Sequence, residues 1–176
     1  MDDVRWLNDD ELDAWSRLLA VVELLPGVLD SQLRRDSRLT NYEYYVLARL
    51  SEAPGKVLRM SELAAHTNAT LPRLSHVVRR MEERGLVERR PCPEDARATN
   101  AHLTEHGWAT IQEAAPAHVE NVRENVFDAL TPEQVGQLKA IADALLTRLD
   151  PGGLIAVRTA EMSTGRPSSA TDRATS

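Results

Sequence analysis

Residues 61–107 read SELAAHTNATLPRLSHVVRRMEERGLVERRPCPEDARATNAHLTEHG, and the order of signals in this stretch decides the fold. Ser61 to His66 predicts a helix of about two turns with Ser61 as its cap. Thr67-Asn68-Ala69 is a tight turn. A second helix follows from Leu71 to Arg84, with Pro72 tolerated in its first turn and Gly85 ending it. Two helices joined by so short a turn have the helix-turn-helix plan. Leu86 to Arg90 and Asn100 to Leu103 then read as two strands around a polar tip, Pro91 to Arg97, which makes the hairpin a wing.

The second helix has two chemically distinct sides. Leu71, Leu74, Val77, Val78 and Met81 gather on one, while Pro72, His76 and Arg79, flanked by Arg73 and Arg80, occupy the other, with Thr70 just ahead. A helix docked in the major groove needs this division, since its buried side sets the angle and its outer side meets phosphates and base edges. Arg can read guanine through paired hydrogen bonds, and His76 can donate or accept. The solvated face of an ordinary surface helix has the same pattern, so the helix alone leaves both readings open. The wing weighs for nucleic acid: Arg89, Arg90 and Arg97 near its end suit a minor groove of enhanced negative potential. Asp95 is spaced to hold the Arg97 guanidinium in one rotamer; an exposed ion pair of roughly 0–1 kcal/mol is the plainer alternative.

Bulk charge points the other way until it is located. The 176 residues carry a net charge of −6, unfavourable for a phosphate-binding protein. Residues 1–15, however, hold six acids against Arg5, whereas residues 69–97 hold seven arginines against five acids. The acidity belongs to another part of the molecule.

Outward from the core stretch, amphipathic helices dominate. Leu12, Trp15, Leu18, Leu19, Val22, Leu25, Leu29 and Leu33 recur at helical spacing, with a kink expected at Pro26. Thr40-Asn41-Tyr42-Glu43 is a capping-box start, and that helix ends before Ala53-Pro54-Gly55, ahead of a short strand at Val57 to Arg59. Thr104 caps a long helix with a bend expected at Pro116, and Thr131-Pro132-Glu133-Gln134 opens another with Val135, Leu138, Ile141, Ala142, Leu145 and Leu149 on one stripe. The expected organisation is an N-terminal dimerisation helix (1–38), a winged helix-turn-helix (39–107), C-terminal dimerisation helices (108–152) and a tail without order (153–176). The fold class is mainly α with a small β-wing. No apolar run approaches a membrane span, the start of the chain is acidic rather than signal-like, and a single cysteine excludes an internal disulfide framework. A cytoplasmic protein is expected.

The sequence resembles the MarR family of winged-helix transcription regulators from about Leu12 to Leu149. The resemblance is carried by Asp95-Ala96-Arg97 followed by Leu103-Thr104-Glu105-His106-Gly107, by Glu62-Leu63-Ala64, and by the run from Val77 to Val87. It implies a triangular homodimer, with N- and C-terminal helices of both chains at the interface and two winged domains gripping one pseudo-palindromic site in double-stranded DNA. Carried over, Leu71 to Arg84 is the recognition helix and Arg97 the wing arginine. Two departures stand out: Ala101 replaces a larger apolar residue, which would loosen wing packing, and Pro72 constrains the start of the recognition helix.

Many members of the family respond to phenolic or other small aromatic ligands in a crevice between dimer helices and DNA-binding lobe. Trp15, Tyr42, Tyr45, Trp108 and His118 lie on segments able to line it, although core packing explains them equally well. Cys92, between two prolines at the wing tip, is expected to be an exposed bystander thiol rather than a redox sensor. His102 and His106 are weighed as zinc ligands and set aside, so no metal or cofactor is expected. No catalytic signature is read in the sequence, and an enzyme is not expected. The alternative to a repressor is a winged-helix module that meets a protein partner without a specific operator.

Overall fold

The computed structural model describes residues 4–155; most of the tail expected to lack order, 156–176, lies outside the described residues. Helix α1 spans Asp9–Ser37 and starts at Asn8, whose side chain accepts the Glu11 N–H while Glu11 accepts the Asn8 N–H, both at 2.9 Å. It continues through Pro26 without a break. Arg38 ends it in the left-handed region at φ 54°. Helix α2, Asn41–Glu52, opens with the expected Thr40 and Glu43 capping box. A short 3₁₀ turn at Pro54–Lys56 leads to β1, Val57–Arg59.

Helices α3, Met60–His66, and α4, Leu71–Glu83, form the helix-turn-helix, followed by strands β2, Val87–Cys92, and β3, Asp95–Leu103. Helix α5, Glu105–Val122, widens into a π-type turn at Arg123–Phe127, and α6 spans Pro132–Leu149. The fold is mainly helical with one small antiparallel sheet in the order β1-β3-β2. Ala101 of the central strand lies opposite both Leu58 and Arg89.

Several local expectations need correction. Helix α3 begins at Met60, with Arg59 in the capping position and no side-chain cap, so Ser61 is a first-turn residue. The wing strands run almost to the tip, because Arg90 and Pro91 pair with Asn100 and Thr99, and the register shifts only between Pro91 and Cys92. Polar, proline-containing sequence read as a loop is here edge strand, where proline is tolerated. Helix α5 continues through Pro116, and the irregularity falls at the π-type turn instead.

The core is built by the winged domain. Leu33, Leu39, Val46, Leu47, Leu50, Leu63, Leu74, Val78 and Met81 have no exposed surface, and Leu86, Val87, Leu103 and Ile111 are buried around them. Ala101 is fully enclosed in this core, so the small residue sits in packed surroundings rather than over a gap. Gly107 explains the motif after the wing: a Cβ there would lie 2.1 Å from the Leu86 carbonyl oxygen, an impossible contact. Thr104 completes the joint, its hydroxyl donating to the Gly85 carbonyl at 2.6 Å and accepting the Gly107 N–H at 2.9 Å. The start of α5 is thereby locked onto the base of the wing.

The arms are different. Along α1, Leu12, Trp15, Leu18, Leu19, Val21, Val22 and Leu24 are exposed, and on α6 so are Leu138, Ile141, Leu145 and Leu149. Helix α6 buries no residue and packs closely against none of the other described elements.

Candidate nucleic-acid interface

Helix α4 is held by Leu74, Val78 and Met81 in the core, which turns Pro72, Arg73, His76, Arg79 and Arg80 to solvent together. The predicted division of the helix into two sides is therefore realised, although Leu71, at the margin, is exposed rather than buried. Thr70 caps the helix, its hydroxyl accepting the Arg73 N–H at 3.4 Å, and Pro72 occupies the first turn, where its missing N–H costs nothing. The His76 Nδ1 and Arg79 Nη2 lie 3.3 Å apart, one turn apart on the outer face. Arg73 leans back over the Tyr42 ring, its guanidinium carbon 5.1 Å from the ring centre. Arg80 makes no ion pair among the described residues.

The structure sorts the wing arginines into two kinds. Arg89 is a clasp: its backbone N–H donates to Glu82 Oε1 at 2.9 Å and its guanidinium donates twice to Glu82 Oε2, at 2.9 and 2.7 Å. These bonds, the backbone one foremost, hold the Glu82 carboxyl below its usual range. Arg89 is thus committed to tying β2 to α4, a role that the strand register could not foretell. Arg90 pairs with its neighbour on the same face, Glu88, at 2.7 Å.

Arg97 is exposed at the start of β3 and its guanidinium has no ion-pair partner among the described residues. Asp95 does not grip that guanidinium as expected: its Oδ1 accepts the Arg97 backbone N–H at 3.0 Å, and its Oδ2 faces Arg59 at 3.9 Å. The spacing of two residues suits a turn-type bond to the backbone better than a side-chain fork. Arg59, Ser61, Leu71, Ser75, Arg89, Asp95, Arg97 and Thr99 line a cleft of about 320 Å³ between α4 and the wing. Arg59 and Ser61 join the surface here, and neither was picked out from the sequence.

Cys92 is 6% exposed, which corrects the expectation of an exposed thiol: the longer wing strands fold it inward. Among the described residues no group of three or more His, Cys, Asp or Glu is arranged to hold a metal ion.

A second feature is a crevice lined in part by α2. It has a volume of about 760 Å³ and is lined by Pro26, Asp30, Tyr42, Tyr44, Tyr45, Ala48, Arg49, Arg73 and His118, among others. It unites three of the five residues expected there, Tyr42, Tyr45 and His118, and leaves out two. Trp15 is half exposed on α1, and Trp108 packs elsewhere, under the Lys56 ammonium at 4.0 Å. Tyr44, not picked out from the sequence, stacks at a tilt 4.3 Å from His118. Burial raises the Tyr44 and Tyr45 phenols above their usual range and lowers His118, whose Nδ1 is buried without a partner among the described residues. The Tyr45 hydroxyl donates to the His66 carbonyl at 3.1 Å, and the Tyr42 hydroxyl lies 3.0 Å from Thr67 Oγ1. The crevice wall is therefore bonded directly to the turn of the helix-turn-helix.

Comparison with known proteins agrees with this geometry. A family model described as MarR family matches residues 39–98. The chain is similar to the HTH-type transcriptional repressor IacR of Pseudomonas putida, 33% identical over 91 residues, and the match covers 52% of this chain and about half, 54%, of that protein. Among solved structures, a MarR family transcriptional regulator from Streptomyces coelicolor in complex with DNA is 41% identical with a TM-score of 0.81, covering 86% of this chain and 94% of that one. AbsC, another MarR family regulator from Streptomyces coelicolor, is 40% identical with a TM-score of 0.78, covering 83% and 98%.

Proposed function

The chain belongs to the MarR family of transcription regulators, and from that premise we propose that it is a homodimeric repressor that binds a pseudo-palindromic site in double-stranded DNA. The observation that carries the reading is the outer side of α4, where Arg73, His76, Arg79 and Arg80 stand exposed with Arg97 of the wing beyond them across a cleft. Two features of the exposed surface support the assignment of roles. His76 and Arg79 stand together where the helix would meet base edges, and Arg73 and Arg80 flank them where phosphates would lie. Arg97 is the wing arginine left uncommitted for a minor groove, since Arg89 and Arg90 are already engaged by Glu82 and Glu88.

The arms support the homodimer. Apolar residues of α1 and α6 stay exposed among the described residues, and apolar surface on such helices is stabilised by roughly 25 cal/mol per Å² when a second copy covers it. Two copies of α4 would then meet half-sites about one helical turn, roughly 34–36 Å, apart. No described helix is long and apolar enough to cross a membrane, which accords with the cytoplasmic setting such a regulator requires.

A small aromatic ligand is the effector class that the Tyr42, Tyr44, Tyr45 and His118 crevice suits, since it offers aromatic faces and an unpartnered ring nitrogen. Release of DNA by it needs differential affinity for two conformations, and a tenfold effect needs about 1.4 kcal/mol.

The test is selection of genomic fragments by the purified protein, followed by titration of the selected duplex. Enrichment of a two-fold symmetric sequence bound by one dimer is the expected result. Retention of duplex without sequence preference, with affinity set by salt alone, would favour the protein-interaction alternative.

A further inference from the structure

The joint between α1 and α2 is bonded to the end of α4 through one side chain. Arg84, the residue that ends α4, reaches back across the fold: its Nη2 donates to the Arg38 carbonyl at 2.9 Å, and its Nη1 donates to Glu43 Oε1 at 3.4 Å. Arg38 is the left-handed residue at which the dimerisation helix stops, and Glu43 is 2% exposed in the first turn of α2. The other oxygen of Glu43 accepts the Thr40 N–H at 2.8 Å, so this carboxylate is committed to the cap and cannot swing away. On the α1 side, Asp30 accepts the Asn41 N–H at 2.8 Å and pairs with Arg34, which fixes the elbow that Arg84 grips.

We propose that Arg84 is a positioning residue that sets the direction in which α4 is presented relative to α1, and with it the spacing of the two DNA-reading helices. The proposal rests on the reading of α4 as the DNA-reading helix. Apolar burial of Leu74, Val78 and Met81 decides which side of α4 faces inward, but such burial is non-directional and tolerates tilt. Directed hydrogen bonds do not. The Glu82 and Arg89 clasp makes α4 and the wing one block, and Gly85, at φ 70°, turns the chain between them. At the other end of α4, Arg73 meets the face of Tyr42. Arg84 is therefore the charged link from that block to the elbow from which the dimerisation helix departs.

The lever is long enough for this to matter. Helix α4 has 13 residues, a length of about 20 Å. A tilt of about 10° about its Arg84 end displaces the first turn by roughly 3.5 Å, close to one base-pair step at 10–10.5 pairs per 34–36 Å. Both recognition helices in a dimer would move, so a small loosening at Arg84 changes which half-site spacing is met.

The experiment uses spin labels at Arg17→Cys, on the side of α1 away from its apolar stripe, and at His76→Cys on α4, in a Cys92→Ala background. Labelled chains are diluted with unlabelled protein so that the distance measured lies within one chain. Arg84→Met should broaden that distribution, Arg84→Lys should restore it in part because one ammonium cannot serve both acceptors in the fork geometry, and Glu43→Gln should broaden it while keeping the cap. Unlabelled Arg84→Met should bind the selected operator about tenfold more weakly, which is 1.4 kcal/mol, and its preference among duplexes of altered half-site spacing should flatten. A purely stabilising role would lower the melting temperature and leave both the distribution and the spacing profile unchanged, and that result overturns the proposal. Should Arg84→Met fail to fold, Arg84→Lys and Glu43→Gln decide by the same two readings. A broadened distribution in a protein that selects no operator would sustain the positioning role and refute the DNA-binding reading instead.

Discussion

The winged domain and the arms solve the problem of apolar surface in opposite ways. Between Leu39 and Ile111 the chain encloses its own core, with ten fully buried large side chains among the described residues: Leu39, Val46, Leu47, Leu50, Leu63, Leu74, Val78, Met81, Leu86 and Val87. On α1 and α6 many of the same residue types stand 40–79% exposed, from Val28 to Leu149, although Leu33 near the end of α1 is buried. The difference teaches that amphipathic periodicity alone does not say what an apolar stripe is covered by. In the winged domain short elements fold back on one another, whereas α6 packs closely against none of the other described elements.

Substitutions at equal chemistry in the two regions test this contrast. Leu74→Ala, in a fully buried site, should lower unfolding stability by about 2–5 kcal/mol in a denaturant titration, independent of protein concentration. A loss below about 1 kcal/mol would mean that the winged domain does not hold itself together. Ile141→Asp, on the exposed stripe of α6, should leave the winged core intact and weaken dimerisation about a hundredfold, roughly 2.7 kcal/mol, read by sedimentation equilibrium. It should also abolish the concentration dependence of the melting temperature. An Ile141→Asp protein that stays dimeric would place the interface elsewhere.

At the wing the comparison is between arginines that look alike in sequence. Arg97→Ala should weaken operator binding about tenfold and reduce the salt slope, while Arg90→Ala, at a residue already paired with Glu88, should change affinity by less than about threefold. Titrations at several salt concentrations separate the two. Equal losses would show that the Glu88 pair opens on DNA and that Arg90 is a contact after all.

These cases mark where the fold and the site were legible. The order of helix, turn, helix and hairpin could be read because its punctuation is local: Thr40 and Thr104 caps, Gly85 at positive φ, and Gly107 against the Leu86 carbonyl. The outward face of α4 followed from helical periodicity. What escaped the sequence depends on contacts between segments far apart in the chain. The Arg89–Glu82 clasp could not be foreseen because nothing local reveals Glu82 across from Arg89, and Cys92 was placed outside because the pairing of Pro91 with Thr99 was unseen. Trp108 was assigned to the crevice by its helix, but its position on α5 brings it to Lys56 instead.

The smallest effects expected concern pH, and they distinguish the same two regions by where each titrates. Glu82, in the clasp between α4 and the wing, has its carboxyl lowered by bonds from Arg89. Its contribution is therefore complete above the usual carboxylate value of about 4.3 and is lost as pH falls through the lower folded value. Its side chain is 32% exposed, so solvent screening limits the contribution to about 1 kcal/mol or less. His118, where α5 meets the crevice, is lowered by burial, so the unfolded chain takes up its proton first. Stability there begins to fall as pH drops below about 6.5 and declines until the folded imidazole is itself protonated. Acidification should thus loosen the junction of arm and domain before it touches the wing. Thermal melts between pH 7 and 5 should show a downward slope that His118→Phe flattens and that Glu82→Gln leaves unaltered. A slope that survives in His118→Phe would assign the titration to another group, and with it remove the distinction drawn between the two regions.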